Sequence, residues 1–375
     1  MSDGPFGRKE FRAVVDAEIA PHAARFDREQ SIPANVLRRI GELGWWGAIL
    51  PVEAGGSGMD MVTLGELHEE VGRGCSSVRS LLTVHSMAAY AVSRWGSEGQ
   101  RARWLPLLAR GEAIGAFCLT EPEAGSDAAG ISATATRQQD GGFVLQGSKR
   151  WITGGQIADL LLVFARTGRG VSAFLVESDS PGVVVRPVHD MLGTRGSMLA
   201  EIDFQDCRLG PDALLGPDGF ALATVVTGVL DIGRYSVACG CVGILQACME
   251  AGASFTAAQG GRTQPLSSHQ LVRQMLSQMV TDVSAARLLC RQAGELKDRN
   301  DPQTIMATWI AKYFASTAAT RAASDAVQLH GAAGCAPDHA AQRYYRDAKI
   351  MEIIEGSTQI QQIKIAEEAY RWTAR

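Results

Sequence analysis

The sequence predicts an α+β chain in three parts: a helical domain over residues 1–115, a β domain over 116–216 and a helical bundle over 217–375. Three observations carry that reading. Apolar residues recur at helical spacing through the first third. From Ala113 to about Leu215 they fall instead into short runs broken by Gly, Asp and Ser, the pattern of closely spaced strands in a small barrel or sandwich. After Pro217-Asp218-Gly219 the helical spacing returns and holds to the end. A chain of 375 residues is also too long for one simple core.

In the first region, Phe11, Val14, Val15 and Ile19 begin an amphipathic pattern, and Pro33 opens a helix through Val36, Leu37, Ile40 and Leu43. Gly55-Gly56-Ser57-Gly58 is a loop. Leu64 to Val71, Val78 to Trp95 and Gln100 to Ala109 read as three further helices. Core packing accounts for most of these residues. Cys75-Ser76-Ser77 and His85, small polar groups beside apolar helix surface, would also suit a channel wall. In the middle region, Phe143 to Gly147 and Lys149 to Thr153 flank an expected turn. Leu160 to Ala165 and Ser172 to Val176 read as buried strands, Val183 to Val185 as a strand after Pro181-Gly182, and Leu199 to Phe204 as an alternating strand. In the last region, Leu271, Met275, Met279, Val283, Ala286, Cys290 and Ala293 form one stripe on a long helix, the kind that packs in a bundle.

Composition excludes several function classes. Hydrophobic content is 46%, charged content 20% and net charge −4, which gives no reason to expect nucleic acid or an anionic membrane surface as partner. The reading finds no apolar run long enough to span a bilayer, and the polar N-terminus has no signal core, so a cytoplasmic location is expected. The eight cysteines form no C-x-x-C pair and the histidines show no ligand spacing, so no metal site is expected.

Three segments carry chemistry. In Met351-Glu352-Ile353-Ile354-Glu355-Gly356-Ser357-Thr358-Gln359-Ile360, Glu355 lies between an apolar pair and a glycine. Apolar neighbours raise a carboxyl pKa toward working pH, which suits a general base. Gly356 lets the backbone pass close to a cofactor or substrate. The bland alternative is a capping residue before a helix. Phe117-Cys118-Leu119-Thr120-Glu121-Pro122-Glu123-Ala124-Gly125-Ser126-Asp127 lies where the helical and β regions meet, a favoured place for cofactors, although a plain surface turn would look the same. In Trp151-Ile152-Thr153-Gly154-Gly155 the indole could cover a flat heteroaromatic ring while the hydroxyl bonds its edge; the alternative is a buried strand-end Trp.

These segments, with Tyr345-Arg346-Asp347-Ala348-Lys349, resemble the acyl-CoA dehydrogenase family, which carries T-E-P-x-A-G-S-D, W-I-T-x-G, Q-x-x-G-x-x-G and E-G-[ST]-x-Q-I motifs in this order. The resemblance covers nearly the whole chain. It implies an N-terminal helical domain, a middle β domain and a C-terminal four-helix bundle. It also implies a homo-oligomer, dimer or tetramer, with FAD at a subunit interface. Phe117, Leu119, Thr120, Gly125 and Ser126 match flavin-binding positions, and Trp151 and Thr153 match positions against the isoalloxazine. Gln328 and Gly331 match contacts to the FAD of a neighbouring subunit, and Ser357 and Gln359 match further FAD contacts. Asp231 and Arg234 match a pair near the acyl thioester; without the resemblance they read as a helix i,i+3 salt bridge. Glu355 matches the catalytic base, whose backbone N–H, with an FAD hydroxyl, holds the thioester carbonyl in the family. One departure stands out: Gln259 occupies the position of a family Arg that contacts FAD pyrophosphate, with Arg262 as a candidate replacement.

Gly74 to Ser80, Gly240 to Leu245 and Arg346 to Gly356 are similar to a subgroup acting on carrier-protein-bound C3 units in polyketide extender-unit biosynthesis, toward hydroxymalonyl-, methoxymalonyl- or aminomalonyl-ACP. The expected function is therefore FAD-dependent oxidation of a CoA- or acyl-carrier-protein-bound acyl group, with an electron-transfer flavoprotein as the family's usual acceptor. The alternatives are an ordinary short-chain α,β acyl-CoA dehydrogenase, a flavin oxidase or monooxygenase on the same fold, or a flavin-binding scaffold.

Overall fold

A computed structural model describes residues 7–259 and 264–373; Arg262, the candidate replacement for the missing family Arg, lies outside them. The first region holds α1 (Arg8–Val14), α2 (Ala23–Glu29), α3 (Ala34–Glu42), α4 (Met61–Gly74), α5 (Ser76–Trp95) and α6 (Glu98–Arg110). Between α1 and α2 the chain passes through a π turn at Val15–Ile19 and a 3₁₀ turn at Ala20–His22, where Pro21 lacks the N–H that a regular helix needs. Pro33 precedes α3 in extended conformation, Asp60 accepts from Thr63 N–H at 2.7 Å to cap α4, and Ser97 with Gln100 forms a capping box on α6. His85 is fully buried as a joint: its Nε2 meets Leu108 O at 3.0 Å and its Nδ1 accepts from Gly115 N–H at 3.1 Å. Burial pushes its pKa down to about 4, which keeps it neutral for that role.

The middle region holds β1 (Gly115–Cys118), β2 (Thr134–Arg137), β3 (Phe143–Ile152), β4 (Leu160–Thr167), β5 (Gly170–Glu177), β6 (Val183–Pro187), β7 (Ala200–Leu209) and β8 (Leu214–Leu215). They form one sheet in the order β6-β7-β3-β2-β4-β5-β8, with β1 parallel to β4. The sheet curls. Phe143 of β3 and Phe174 of β5 have ring centroids 5.0 Å apart, whereas their strands would lie about 14 Å apart in a flat sheet. β4 is apolar from Leu160 to Ala165 because both faces are covered there: Leu161, Val163 and Ala165 join the core inside the curl, and Leu160, Leu162 and Phe164 pack against α5 and α6. The turn expected between Gly147 and Lys149 is absent. β3 runs through it, and Gly147 makes a bulge instead, with φ +136° and Ala133 too close for a side chain.

The last region holds α7 (Thr227–Ala258), α8 (Gln270–Asp298), α9 (Thr304–His330), α10 (Ala340–Met351) and α11 (Thr358–Thr373). α7, α8, α9 and α10 share one core. In the α8 stripe Met279, Val283, Ala286, Cys290 and Ala293 are buried, but Leu271 at its start is 70% exposed. The segment Leu222–Ala258 is long and apolar enough to cross a bilayer, contrary to the expectation from sequence, and 83% of its apolar window is buried among neighbouring helices. α7 and α9 hold the turn between α10 and α11, α5 packs on α7, and Gly154, just past β3, faces Leu81 and Val84 of α5; the candidate site is built on these elements.

Candidate active site

Glu355 lies in the turn that joins α10 to α11. Its φ is +56° and that of Gly356 is +94°, two successive left-handed residues that reverse the chain. A non-glycine residue there carries strain of about 1 kcal/mol or more, so its surroundings must hold it. They do so through the carbonyls. Arg234 Nε donates to Glu355 O at 3.1 Å, and Lys312 Nζ and Gln361 Nε2 donate to Gly356 O at 2.8 and 3.1 Å. Thr358 N–H donates to Glu352 O at 2.9 Å and closes the loop.

The carboxylate points inward. Oε2 is buried with no hydrogen-bond partner, and a Cβ on Gly233 would collide with it and with Met87 Sδ. Burial raises the Glu355 pKa to about 7, against the pull of Arg234, Lys312 and Arg79 in that order. Of the apolar sequence neighbours, Ile353 is 57% exposed and Ile354 is partly buried against the bundle core, so they supply only part of the apolar surroundings. The rest come from Met87 on α5 and the glycine face of α7.

Arg79 on α5 is 1% exposed and has no carboxylate within ion-pair distance among the described residues. Its donors go to Thr83 Oγ1 at 3.0 Å, Ser80 Oγ at 2.9 Å and Met351 Sδ at 3.1 Å. Thr83 Oγ1 lies 2.6 Å from Ser236 Oγ, which lies 3.0 Å from His68 Nδ1. Burial pushes His68 down to about 3, so it is neutral, and its Nε2 has no partner. Met87, Thr83 and Arg79 on α5 therefore face Gly233, Ser236 and Gly240 on α7, a polar lane between two helices that starts at Glu355.

On the sheet side, Lys149 and Glu121 form a buried ion pair at 2.7 Å. Lys149 also donates to Leu119 O at 3.1 Å, and Glu121 accepts from Ser132 Oγ at 2.7 Å and Ala133 N–H at 3.0 Å. These bonds fix the segment carrying Leu119 and Thr120. Trp151 ends β3 with φ +59°, its ring 42% exposed and the Arg150 guanidinium 4.5 Å from its centroid. Phe117 is half-buried, edge-on to Phe164 at 5.3 Å, and Thr153 is half-buried. Gly125 and Ser126 are exposed, and a Cβ on Gly125 would meet nothing within 4 Å. An open indole face with nearby hydroxyls and uncrowded backbone fits a flat polar heterocycle such as flavin.

Other sequence-selected residues fall elsewhere. Gln328 and Gly331 are exposed at the far end of α9, and Gln328 is about 24 Å along the helix from Lys312. Asp231 and Arg234 do not pair: Asp231 binds Lys297 of α8, and Arg234 stacks on Trp309 at 4.2 Å while holding the Glu355 turn. Ser357 and Gln359 line a shallow cavity of about 180 Å³ with Lys349, Glu352, Ile353 and Thr358. Gln259 is exposed at the end of α7. Sequence reasoning assigned no role to Arg79, Met87 or Lys312. Lys312 had a signal, a lone cation between Ala311 and Ala315 on the apolar stripe of α9.

Comparison with known proteins matches three family descriptions along the chain: "Acyl-CoA dehydrogenase, N-terminal domain" to residues 7–112, "middle domain" to 116–207 and "C-terminal domain" to 218–370. The probable acyl-CoA dehydrogenase YngJ of Bacillus subtilis (strain 168) is 38% identical over 368 residues, 96% of each chain. A glutaryl-coenzyme A dehydrogenase solved with glutaryl-CoA superposes with TM-score 0.93 at 34% identity, covering 97% of this chain and 94% of that one. FkbI, described as serving biosynthesis of the methoxymalonyl extender unit of the Fk520 polyketide, superposes with TM-score 0.90 at 34% identity, covering 96% and 99%.

Proposed function

The chain belongs to the acyl-CoA dehydrogenase family, and from that premise we propose that it oxidises a short acyl thioester with a polar distal end, carried on an acyl carrier protein in polyketide extender-unit biosynthesis. It is an oxidoreductase of acyl thioesters, and its cofactor is FAD, which accepts a hydride when bound.

In the proposed mechanism Glu355 is the base. For an α,β oxidation it takes the Cα proton made acidic by the thioester carbonyl, while hydride leaves Cβ. For a hydrated aldehyde it takes the hydroxyl proton while hydride leaves the same carbon, which yields the carboxylic acid. A carboxyl that titrates at about 7 is ionised in half the molecules at neutral pH and strong enough to accept either proton. The Glu355 N–H holds the thioester carbonyl, and the Arg234 contact fixes that peptide. Phe117, Leu119, Thr120, Gly125, Ser126, Trp151, Thr153, Ser357 and Gln359 are the proposed flavin contacts of one subunit. Gln328 and Gly331, at the end of α9 remote from the Glu355 turn, are the proposed contacts to the flavin of a second subunit.

The observation that carries the substrate class is Arg79. A buried guanidinium whose hydrogen bonds all go to neutral groups, with the Glu355 and Asp347 carboxylates beyond ion-pair distance, is costly, and an oxygen-bearing acyl end reaching it from the Glu355 side would satisfy it. The likeness to FkbI and to a dehydrogenase solved with a diacid thioester supports the same class. A second reading, an ordinary short-chain α,β acyl-CoA dehydrogenase, is favoured by the likeness to the mitochondrial short-chain specific acyl-CoA dehydrogenase of Rattus norvegicus, 36% identical over 365 residues.

Anaerobic flavin bleaching separates the two. The panel is butyryl-CoA and other short acyl-CoAs, then carrier protein loaded with glyceryl, 2-hydroxy-3-oxopropionyl or seryl groups. Bleaching by loaded carrier protein alone is the expected result, and bleaching by butyryl-CoA alone rejects the extender-unit assignment. In Arg79→Met, reduction by the polar substrate should fall at least about tenfold while binding of butyryl-CoA holds or improves. Oxygen consumed in step with turnover would instead mark an oxidase or monooxygenase.

A further inference from the structure

Lys312 is fully buried on α9, among Thr308, Ala311, Ala315 and Ser316. Its ammonium makes its hydrogen bond to a backbone carbonyl, Gly356 O, at 2.8 Å, and among the described residues it has no carboxylate within ion-pair distance. Burying an ammonium against a neutral acceptor is costly. Hydrogen bonding alone does not explain it, because Gln361 Nε2 already donates to the same oxygen at 3.1 Å. What Lys312 adds is charge.

That charge faces few groups. α7 presents Arg234 and Cys241, α5 presents Arg79, and the turn presents Glu352 and Glu355. Glu352 is bound by Lys349 at 2.7 Å, and the Cys241 thiol is pushed up to about 12, so it is neutral. Among the described residues, the one anion left for Lys312 to act on is the unpartnered carboxylate of Glu355, one residue from the carbonyl it holds. Burial lowers the Lys312 pKa only to about 8, so the ammonium persists at neutral pH.

We infer that Lys312 is a positioning residue for the base: it pins the left-handed turn that aims Glu355 and keeps the carboxylate ionised in a pocket that disfavours charge. The inference rests on Glu355 being the base. Mutation of Lys312 acts through Glu355, so its signature is a shift in titration rather than a loss of substrate binding.

The test uses the flavin-loaded enzyme and the variants Lys312→Gln, Lys312→Met and Lys312→Arg; the Gln variant keeps a donor without the charge. Stopped-flow flavin reduction is followed against pH with the best thioester of the panel above. In the Gln and Met variants the acid limb of the rate constant should move up by about one pH unit, with a roughly fivefold lower rate at neutral pH. The thioester's dissociation constant and the FAD content should be unchanged, and Arg should restore the limb. An infrared titration of the Glu355 carboxyl, identified by its loss in Glu355→Gln, should show the same upward shift without turnover. A Gln variant that titrates like the wild type overturns the inference. So does a loss of affinity that matches the loss of rate. If Glu355→Gln itself reduces flavin normally, the base assignment fails; if that variant is inactive while Lys312→Gln titrates unchanged, only the Lys312 inference fails.

Discussion

Glu355 combines two unfavourable features, a left-handed backbone and a buried carboxylate oxygen without a partner. Its pKa rises from 4.5 to about 7 on folding. The folded state therefore binds the proton more tightly than the unfolded chain. The stability contributed by this group is fully present below about pH 4.5 and is lost as pH rises through about 7. Glu355→Gln should keep bound flavin and abolish its reduction by substrate, and it should be more stable than the wild type, by on the order of 3 kcal/mol above pH 7 and much less at pH 5. Melting curves of both forms at pH 5 and pH 8 check the sign; an advantage independent of pH would mean that the carboxylate is not buried unpaired. At this scale the sequence was legible where a motif concentrates chemistry in a few consecutive residues, as at Glu355, Thr120 and Trp151. It was not legible for Lys312 or Met87, which gain meaning from a turn and a helix distant in the chain. The apolar pair beside Glu355 accounts for the raised pKa only in part, since Ile353 faces outward, Ile354 is partly buried against the bundle core, and α5 with α7 add to the burial.

At the scale of elements, β3 shows how one glycine positions a site. The Gly147 bulge lets a single strand run from the Phe143 core to Trp151, where a turn would have divided it. Gly147→Val should cost about 2–4 kcal/mol, because the backbone lies at φ +136° and the side chain would meet Ala133. Loss of register beyond the bulge should also weaken flavin retention, measured as FAD released on gel filtration. A variant that melts with the wild type and keeps its flavin would show that the bulge has no such role. Strand and helix existence was readable from periodicity, because β4 and α8 each repeat one pattern. A bulge and a turn share the same glycine signal, and only pairing with β7 tells them apart. Likewise, Leu222–Ala258 shows why composition alone misjudges a buried helix: its apolar surface is covered by α4, α5, α8 and α9.

At the scale of the molecule, Gln328 and Gly331 are stranded at the end of α9, and Leu271, Val280 and Leu288 leave apolar surface exposed on α8. Both fit a chain that completes its cofactor site by self-association. Dilution to the point of dissociation should then release FAD, and Gln328→Ala should speed the release without altering helix content. Flavin fluorescence and sedimentation velocity over the same concentration range check it; flavin retained by a monomer would overturn the reading. The three-part order of the fold was visible in one sequence, because each part has its own period, whereas a site shared between copies leaves no periodic trace in either. The strain in the Glu355 turn also has a consequence for how this chain can change. A library selected only for heat resistance would favour Glu355→Gln, which removes the buried charge, and Glu355→Gly, which also relieves the backbone. Robustness and turnover pull this position in opposite directions. A descendant freed from the reaction would be expected to lose the glutamate early and keep the fold.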